Sequence, residues 1–467
     1  MRVATISDLH FGDPLSALVR RDKSTGKWEI QRQRFDPLVA ALGPQVDYLV
    51  LLGDVLDFSI ASYDECYGAA RVFFQELAKK VAVKEKVVFV PGNHDFSIWH
   101  TVEHEVNVIK PLTAGKGALP QSFRWSVPAV LDDRKDPATL VLPDVGRNEQ
   151  GEYGGLFLDG LAPGLKFVVA YPNVYLVTRN GTSLVLTHGH YFQQAWAFLG
   201  EWVPQLLDDA DLRALYGLGC LISSDPKLTV PSLKPFVAMN HPVNLFLSSG
   251  IGMAGPFTWL ARKIQRLAKD IANEAAAGKT DTPRMKLFRG YLERADDRIL
   301  DDLVDAPCDK LFWAGHLRGL KEKMSDRAIE FIKEKVLSTI TGYHDEPGSS
   351  PAPTSGVRRR YDDEMHRRMQ RYLTMSDLEI RRISQAKDGV RQAVDVPYPT
   401  HMVFGDTHGP IAFGEETELF DVGGRRVGFS NTGSFLCSRD ASGAECFSGG
   451  EVVVYETAAG IRSTRVT

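Results

Sequence analysis

Short apolar runs recur along this chain, and each is followed by polar residues able to hold a cation. Val3-Ala4-Thr5-Ile6 precedes Asp8 and His10, and Leu49-Val50-Leu51-Leu52 precedes Asp54. Val87-Val88-Phe89-Val90 precedes Asn93 and His94, Leu184-Val185-Leu186 precedes His188, and Met402-Val403-Phe404 precedes Asp406 and His408. Brief continuous apolar runs that end in turn residues predict strands buried on both faces. Between the first three runs, residues 31–42 and 65–81 have helical spacing, the second with Ala69, Val72, Phe73, Leu77 and Val81 on one side. Alternation of strand and helix predicts a doubly wound α/β sheet. Ligands of such sheets bind outside the carboxyl ends of the strands. Five strand ends therefore deliver Asp, His and Asn toward one edge. That is the ligand chemistry of a two-metal site, with Asp54 as the candidate bridge.

The remaining chain is uneven. Periodicity is weak over residues 110–164, where Gly, Pro and Asp are frequent, and a long irregular excursion at the site rim is expected. Residues 174–177 and 183–186 flank Asn180-Gly181, a strong hairpin signal that leads into Thr187-His188-Gly189-His190. Residues 191–399 read as a large, mostly helical insertion, with helices expected at 199–218, 258–277, 284–303 and 325–341. Residues 345–356 read as a flexible linker rich in Pro, Gly and Ser, and helical character resumes over 362–385. Residues 419–466 alternate and are expected to supply strands completing a second sheet. The domain organisation is thus a core formed by 1–190 and 400–467, interrupted by a cap at 191–399.

With 467 residues the chain exceeds one ordinary domain. Its net charge of −4 offers no global electrostatic case for nucleic acid. Five cysteines without a C-x-x-C motif imply no disulfide framework. Cys437 and Cys446 flank a turn and are read as free thiols rather than a bridge across a hairpin. Residues 1–8 run straight into the first strand, which leaves no room there for a signal peptide, and no apolar run is long enough to span a bilayer. The expected location is cytoplasmic.

Asp8-Leu9-His10, Gly53-Asp54-Val55-Leu56-Asp57, Gly92-Asn93-His94-Asp95, Thr187-His188-Gly189-His190 and Gly405-Asp406-Thr407-His408 resemble, in order, the five signature motifs of calcineurin-like metallophosphoesterases. Asn431-Thr432-Gly433-Ser434 resembles a segment that often follows them. The resemblance implies a two-sheet β sandwich flanked by helices, with two divalent metals between the sheets. It implies that Asp8, His10, Asp54 and His408 hold one ion and that Asp54, Asn93 and His188 hold the other. A hydroxide bridging the two ions would attack phosphorus. His94 resembles the histidine that contacts phosphate and steadies or protonates the leaving oxygen, and Asp57 the carboxylate that orients it. His190 is either a site residue or a satisfied core histidine. The donor set favours Mn²⁺, with Mg²⁺, Fe²⁺ or Zn²⁺ as alternatives.

The fifth motif departs from the family's usual G-H-x-H, because Asp406 stands where a histidine is usual. A competing fifth motif, Ala314-Gly315-His316, lacks the second histidine and is set aside. A carboxylate at 406 can ligate a hard metal directly or through water. Phe58-Ser59 and Asp95 occupy positions where phosphoprotein phosphatases usually have Arg-Gly and Glu, which argues against that branch. The UDP-2,3-diacylglucosamine hydrolases share GNHD and a helical cap, a weaker likeness.

The expected activity is hydrolysis of a phosphodiester or pyrophosphate bond in a phosphorylated small molecule or lipid-linked substrate. Nuclease and phosphomonoesterase activity are the alternatives within the fold, and a non-catalytic scaffold is the alternative outside it. Residues 235–261 carry no formal charge and precede Arg262, Lys263, Arg266 and Lys269. They could form a membrane-facing lid, but a buried insertion core is the reading preferred. The Arg-rich residues 358–382 are interleaved with Asp and Glu, as on a solvated helix face, so nucleic acid is not favoured as a partner.

Overall fold

The structure is a computed structural model of the 467-residue chain. It describes residues 1–115, 124–146, 153–193, 233–234, 236–237, 240–241, 244, 363–385, 392–415, 420–422, 424–439 and 444–467. All of these belong to one compact unit, Met1–Thr258 with Ser355–Thr467. The helices expected at 199–218, 258–277, 284–303 and 325–341, the linker at 345–356, most of 235–261, Arg358 to Arg360 and the set-aside motif at His316 lie outside the described residues.

Strand β1 (Arg2–Ile6) is followed by a small hairpin, β2 (Val19–Arg21) and β3 (Trp28–Ile30). Helix α1 (Arg32–Leu42), β4 (Gln45–Leu52), α2 (Tyr63–Lys80) and β5 (Ala82–Val90) come next. Helix α2 begins where it does because Ser62 and Glu65 form a capping box, which satisfies amide donors of the first turn. It ends on Lys79 and Lys80, whose charge suits the carboxyl end of the helix dipole. Its inner face buries Cys66, Ala69, Ala70, Phe73, Phe74 and Leu77. Each large apolar side chain so buried contributes about 1.5–3 kcal/mol.

After α3 (Ser97–His104), the chain forms β6 (Ala129–Asp132), β7 (Thr139–Val141), β8 (Phe167–Val169), β9 (Asn173–Val177) and β10 (Ser183–Thr187). The C-terminal part adds β11 (Pro399–Phe404), β12 (Phe420–Val422), β13 (Arg425–Asn431), β14 (Ser438–Arg439), β15 (Glu445–Cys446), β16 (Gly450–Glu456) and β17 (Gly460–Val466). Two large sheets result, in the orders β17-β16-β1-β4-β5-β8 and β12-β13-β11-β10-β9-β6-β7. One continuous apolar core takes in side chains from both. Strands β9 and β10 are buried along their whole length, as expected of strands covered on both faces. The fold is α/β, two sheets flanked by helices.

Three expectations are corrected here. Residues 110–164 are not simply an irregular excursion, because β6 and β7 form a hairpin at the edge of the second sheet. Runs of four and three residues are too short to show a period against so many Gly, Pro and Asp. The C-terminal strands do not all join the second sheet, since β16 pairs antiparallel with β1 and carries β17 at the edge of the first. That pairing joins opposite ends of the chain, which local pattern cannot reveal. The helix Asp363–Ser384, expected within the insertion, packs on the second sheet. Tyr372 Oη meets Thr187 Oγ1 at 3.0 Å, and Tyr175 Oη donates to Glu379 Oε2 at 2.7 Å.

Cys66, Cys437 and Cys446 are free thiols. The hairpin register sets Cys446 opposite Ser438 rather than Cys437. Among the described residues no helix is long and apolar enough to cross a membrane.

Candidate metal centre

The carboxyl ends of β1, β4, β5, β10 and β11 meet, and each leaves its sheet in an abrupt turn. Among the described residues five non-glycine residues have left-handed backbone: Asp8 (φ 54°), His10 (47°), Asp54 (51°), Asp406 (65°) and His408 (57°). Asp and His tolerate that region better than most side chains. Each such residue still costs roughly 1–3 kcal/mol. Together they oppose folding by an amount comparable with a domain's whole net stability of about 5–15 kcal/mol. Strain confined to the candidate ligands is the mark of a functional site.

Backbone hydrogen bonds hold these turns together. Asp8 N–H donates to Gly53 O at 3.0 Å, His10 N–H to Asp54 O at 2.8 Å and Phe11 N–H to Val55 O at 2.9 Å, so the β1 and β4 pairing continues into the loops. Glycine is required at 53, where φ is 77° and a Cβ would come within 2.6 Å of Gly92 Cα and His188 Nδ1. At Gly405 a Cβ would overlap Asp8 Oδ2 and Ser7 Oγ.

The side chains converge in three overlapping groups, each with ligand atoms within 4.8 Å of one another: Asp8, His10 and His408; Asp8, Asp54 and His188; His10, Asp54 and His94. His408 Nε2 lies 3.4 Å from Asp8 Oδ1 and 3.2 Å from His10 Nε2. His188 Nε2 lies 2.9 Å from Asn93 Oδ1, 3.3 Å from Asp54 Oδ2 and 3.5 Å from Asp406 Oδ1. Every residue expected as a metal ligand thus lies in one cluster, Asp406 included. Asp8, His10 and Asp54 each belong to two of the three groups.

The histidine partners define which nitrogens face inward. His188 Nδ1 donates to Leu52 O at 2.6 Å, and His10 Nδ1 donates to Asp57 Oδ2 at 2.9 Å. Both Nε2 atoms are therefore turned to the cluster, the arrangement by which a second partner orients a metal-binding imidazole. Asp57 Oδ1 accepts from His94 Nδ1 at 2.8 Å, so one carboxylate serves both His10 and His94.

Electrostatics binds the cluster tightly. Burial alone would raise both Asp8 and Asp54. Hydrogen bonds from His10 and His408 nevertheless hold Asp8 well below the ordinary carboxylate range, as the charges of His188 and His94 hold Asp54. Burial opposes charging of the histidines, yet Asp54 lifts His188 to about 10 and Asp57 lifts His94 to about 9. Burial pushes Asp406 up to about 7, against the pull of His188 and with the push of Asp54.

The donors fit divalent ions. Carboxylates, an amide oxygen and imidazoles crowd together, and Asp406 Oδ2 is buried with no hydrogen-bond partner. Such a set of hard and borderline donors suits Mn²⁺, Fe²⁺, Zn²⁺ or Mg²⁺.

Asp406 and His408 do not reach the cluster from one face of a strand. β11 ends at Phe404, and both residues reach the cluster through left-handed turns. His190 lies behind the site. It is buried, its ring is 5.5 Å from that of His188, and burial and the charge of His188 hold it well below the ordinary histidine value.

Supporting residues escaped the sequence reading. Asp95 accepts the N–H groups of Gly92 at 2.7 Å, Val55 at 2.8 Å and Leu56 at 3.2 Å, stapling the Asn93 loop to the Asp54 loop. Thr432 Oγ1 meets Ser7 Oγ at 2.6 Å, and Asn431 Nδ2 donates to Gly405 O at 3.0 Å. The only advance signal for these roles was membership of the Gly92–Asp95 and Asn431–Ser434 motifs.

The model of the family described as calcineurin-like phosphoesterase matches residues 1–217. That span carries Asp8, His10, Asp54, Asp57, Asn93, His94 and His188, and it ends before Asp406 and His408. No curated protein matches the chain. The family match and the cluster together support a metal-dependent phosphoesterase.

Proposed function

We propose that this protein is a binuclear phosphoesterase that cleaves a phosphodiester or pyrophosphate bond, with Mn²⁺ or Mg²⁺ as the preferred ions. The observation that carries the reading is the convergence of Asp8, His10, Asp54, His188 and His408 in overlapping metal-sized groups, with Asn93 and Asp406 against His188. Asp8, His10, Asp54 and His408 would hold one ion, and Asp54, Asn93, His188 and Asp406 the other. When bound, two such ions acidify a coordinated water and neutralise phosphate oxygens.

The protein's own groups do the rest. His94 Nδ1 is held by Asp57, and its Nε2 faces the cluster, 3.9 Å from Asp54 Oδ2. His94 would contact the phosphate and give a proton to the leaving oxygen. With an ion bound, Asp406 would be ionised and add a negative charge where a neutral imidazole would be usual. A dianionic monoester is repelled by that charge more than a diester or pyrophosphate linkage.

The segment at Asn244 would border the site. Asn244 Nδ2 donates to Tyr191 Oη at 2.9 Å and Tyr171 Oη at 3.3 Å, beside His190 and close in sequence to His188.

The test is a panel of phosphomonoesters, phosphodiesters and nucleotide pyrophosphates assayed with Mn²⁺, Mg²⁺, Zn²⁺ and Fe²⁺. Faster turnover of a diester or pyrophosphate with Mn²⁺ or Mg²⁺ is expected. A folded, metal-loaded protein that hydrolyses none of them would leave the non-catalytic alternative.

A further inference from the structure

The turn after Asp57 sets a hydroxyl against the two groups proposed to handle the leaving-group proton. Ser59 is buried. Its Oγ lies 2.6 Å from Asp57 Oδ1 and 2.7 Å from His94 Nδ1, while His94 Nδ1 lies 2.8 Å from the same Asp57 oxygen. The three atoms form a closed triangle. Asp57 Oδ2 is committed to His10 Nδ1 at 2.9 Å.

The donor inventory allows one consistent arrangement. An ionised carboxylate only accepts. The Ser59 hydroxyl therefore donates to Asp57 Oδ1, and its lone pairs are turned to His94 Nδ1. That nitrogen then faces two acceptors and carries hydrogen in both the neutral and the charged ring. The exchangeable proton is left to Nε2, on the side of the cluster. The backbone fixes the triangle further, for Phe58 N–H donates to His94 O at 3.2 Å and Ala61 N–H to Asp57 O at 3.1 Å.

We propose that Ser59 is a positioning residue that, with Asp57, locks His94 in the Nδ1–H form and aims Nε2 at the leaving oxygen of the substrate. The proposal rests on the phosphoesterase reading and deepens it. In the step concerned, hydroxide forms a new bond to phosphorus. The bond from phosphorus to the leaving oxygen breaks, both electrons going to oxygen. That oxygen takes the proton from His94 Nε2. The ring is left neutral with its hydrogen on Nδ1, and Nε2 is reprotonated from solvent, to which the His94 side chain is 20% exposed.

A leaving group that needs a proton depends on this arrangement, whereas p-nitrophenolate departs without one. Ser59→Ala should therefore lower kcat about tenfold or more on a methyl or other alkyl phosphodiester, a part of the roughly 10²–10⁴-fold that a positioned acid supplies. It should change kcat on bis-p-nitrophenyl phosphate much less, leaving KM and bound metal per chain near wild type. Ser59→Thr, which keeps the hydroxyl, should retain the wild-type dependence on leaving group. Nitrogen-15 spectra of the histidines should show neutral His94 as a single Nδ1–H tautomer in wild type and a tautomer mixture in Ser59→Ala.

Equal falls on both substrates, or an unchanged alkyl rate with an unchanged tautomer, would overturn the assignment of Ser59. A wild type that hydrolyses neither substrate with any of the four metals would instead overturn the phosphoesterase reading, and this inference with it.

Discussion

Asp406 Oδ1 lies 3.5 Å from His188 Nε2, on the side of the imidazole that also faces Asp54 and Asn93. A carboxylate at this place makes the second half of the site richer in oxygen. Asp406→His should raise the affinity for Zn²⁺ relative to Mn²⁺ and narrow any preference for diesters over monoesters. Metal competition followed by elemental analysis measures the first effect, and paired kcat/KM values measure the second. An unchanged Zn²⁺ to Mn²⁺ ratio would remove Asp406 from the ligand set.

Asp54 lies within reach of His10, His94 and His188. Asp54→Asn preserves shape and removes one negative charge where two cations would converge. Hydrolysis of bis-p-nitrophenyl phosphate should fall by about 10²-fold or more. Circular dichroism should remain that of the folded protein. Full activity in a folded, metal-loaded variant is the result incompatible with a shared bridge.

His94 contributes its ring but is not assigned to either ion. His94→Ala should lower kcat by about 10²–10⁴-fold on substrates with poor leaving groups, and two metal ions per chain should still be retained. If one ion is lost, His94 belongs among the ligands. Asp57→Asn should act on both His94 and His10, because the two oxygens of Asp57 serve the two rings. It should therefore weaken metal retention as well as turnover, and comparing the two variants separates the roles.

Away from the site, Glu379 makes stability depend on pH. It is buried in the helix Asp363–Ser384, where Tyr175 Oη donates to its Oε2. Burial, opposed by Arg382, pushes its pKa from an ordinary 4.5 up to about 6. The folded state therefore holds the proton more tightly than the unfolded state. Its favourable contribution is complete below about pH 4.5 and is lost as pH rises to about 6, a change of roughly 2 kcal/mol. Glu379→Gln stays uncharged, so its stability relative to wild type should improve by about that amount between pH 4 and pH 7. Urea unfolding of both proteins at the two pH values gives the difference. A difference that is constant with pH would mean that Glu379 does not titrate in this range.

What the sequence determined by itself was local. Apolar runs at Val3 to Ile6, Leu49 to Leu52, Val87 to Val90, Leu184 to Leu186 and Met402 to Phe404 specify strands, because a continuous apolar segment is stable only where both faces are covered. Asp, His and Asn directly after them specify ligand chemistry. Tertiary structure decided which of these groups meet. The pairing of β16 with β1, the edge hairpin β6–β7 and the seating of Glu379 on Tyr175 join segments far apart in the chain. Their partners carry no short-range signature. The same holds for the triangle of Asp57, Ser59 and His94 and for the approach of Asp406 to His188. Left-handed turns at Asp8, His10, Asp54, Asp406 and His408 were also beyond sequence patterning. Such backbone is intrinsically unfavourable for residues with a Cβ, and it persists only because the packed sheets and the hydrogen bonds between loops hold it there.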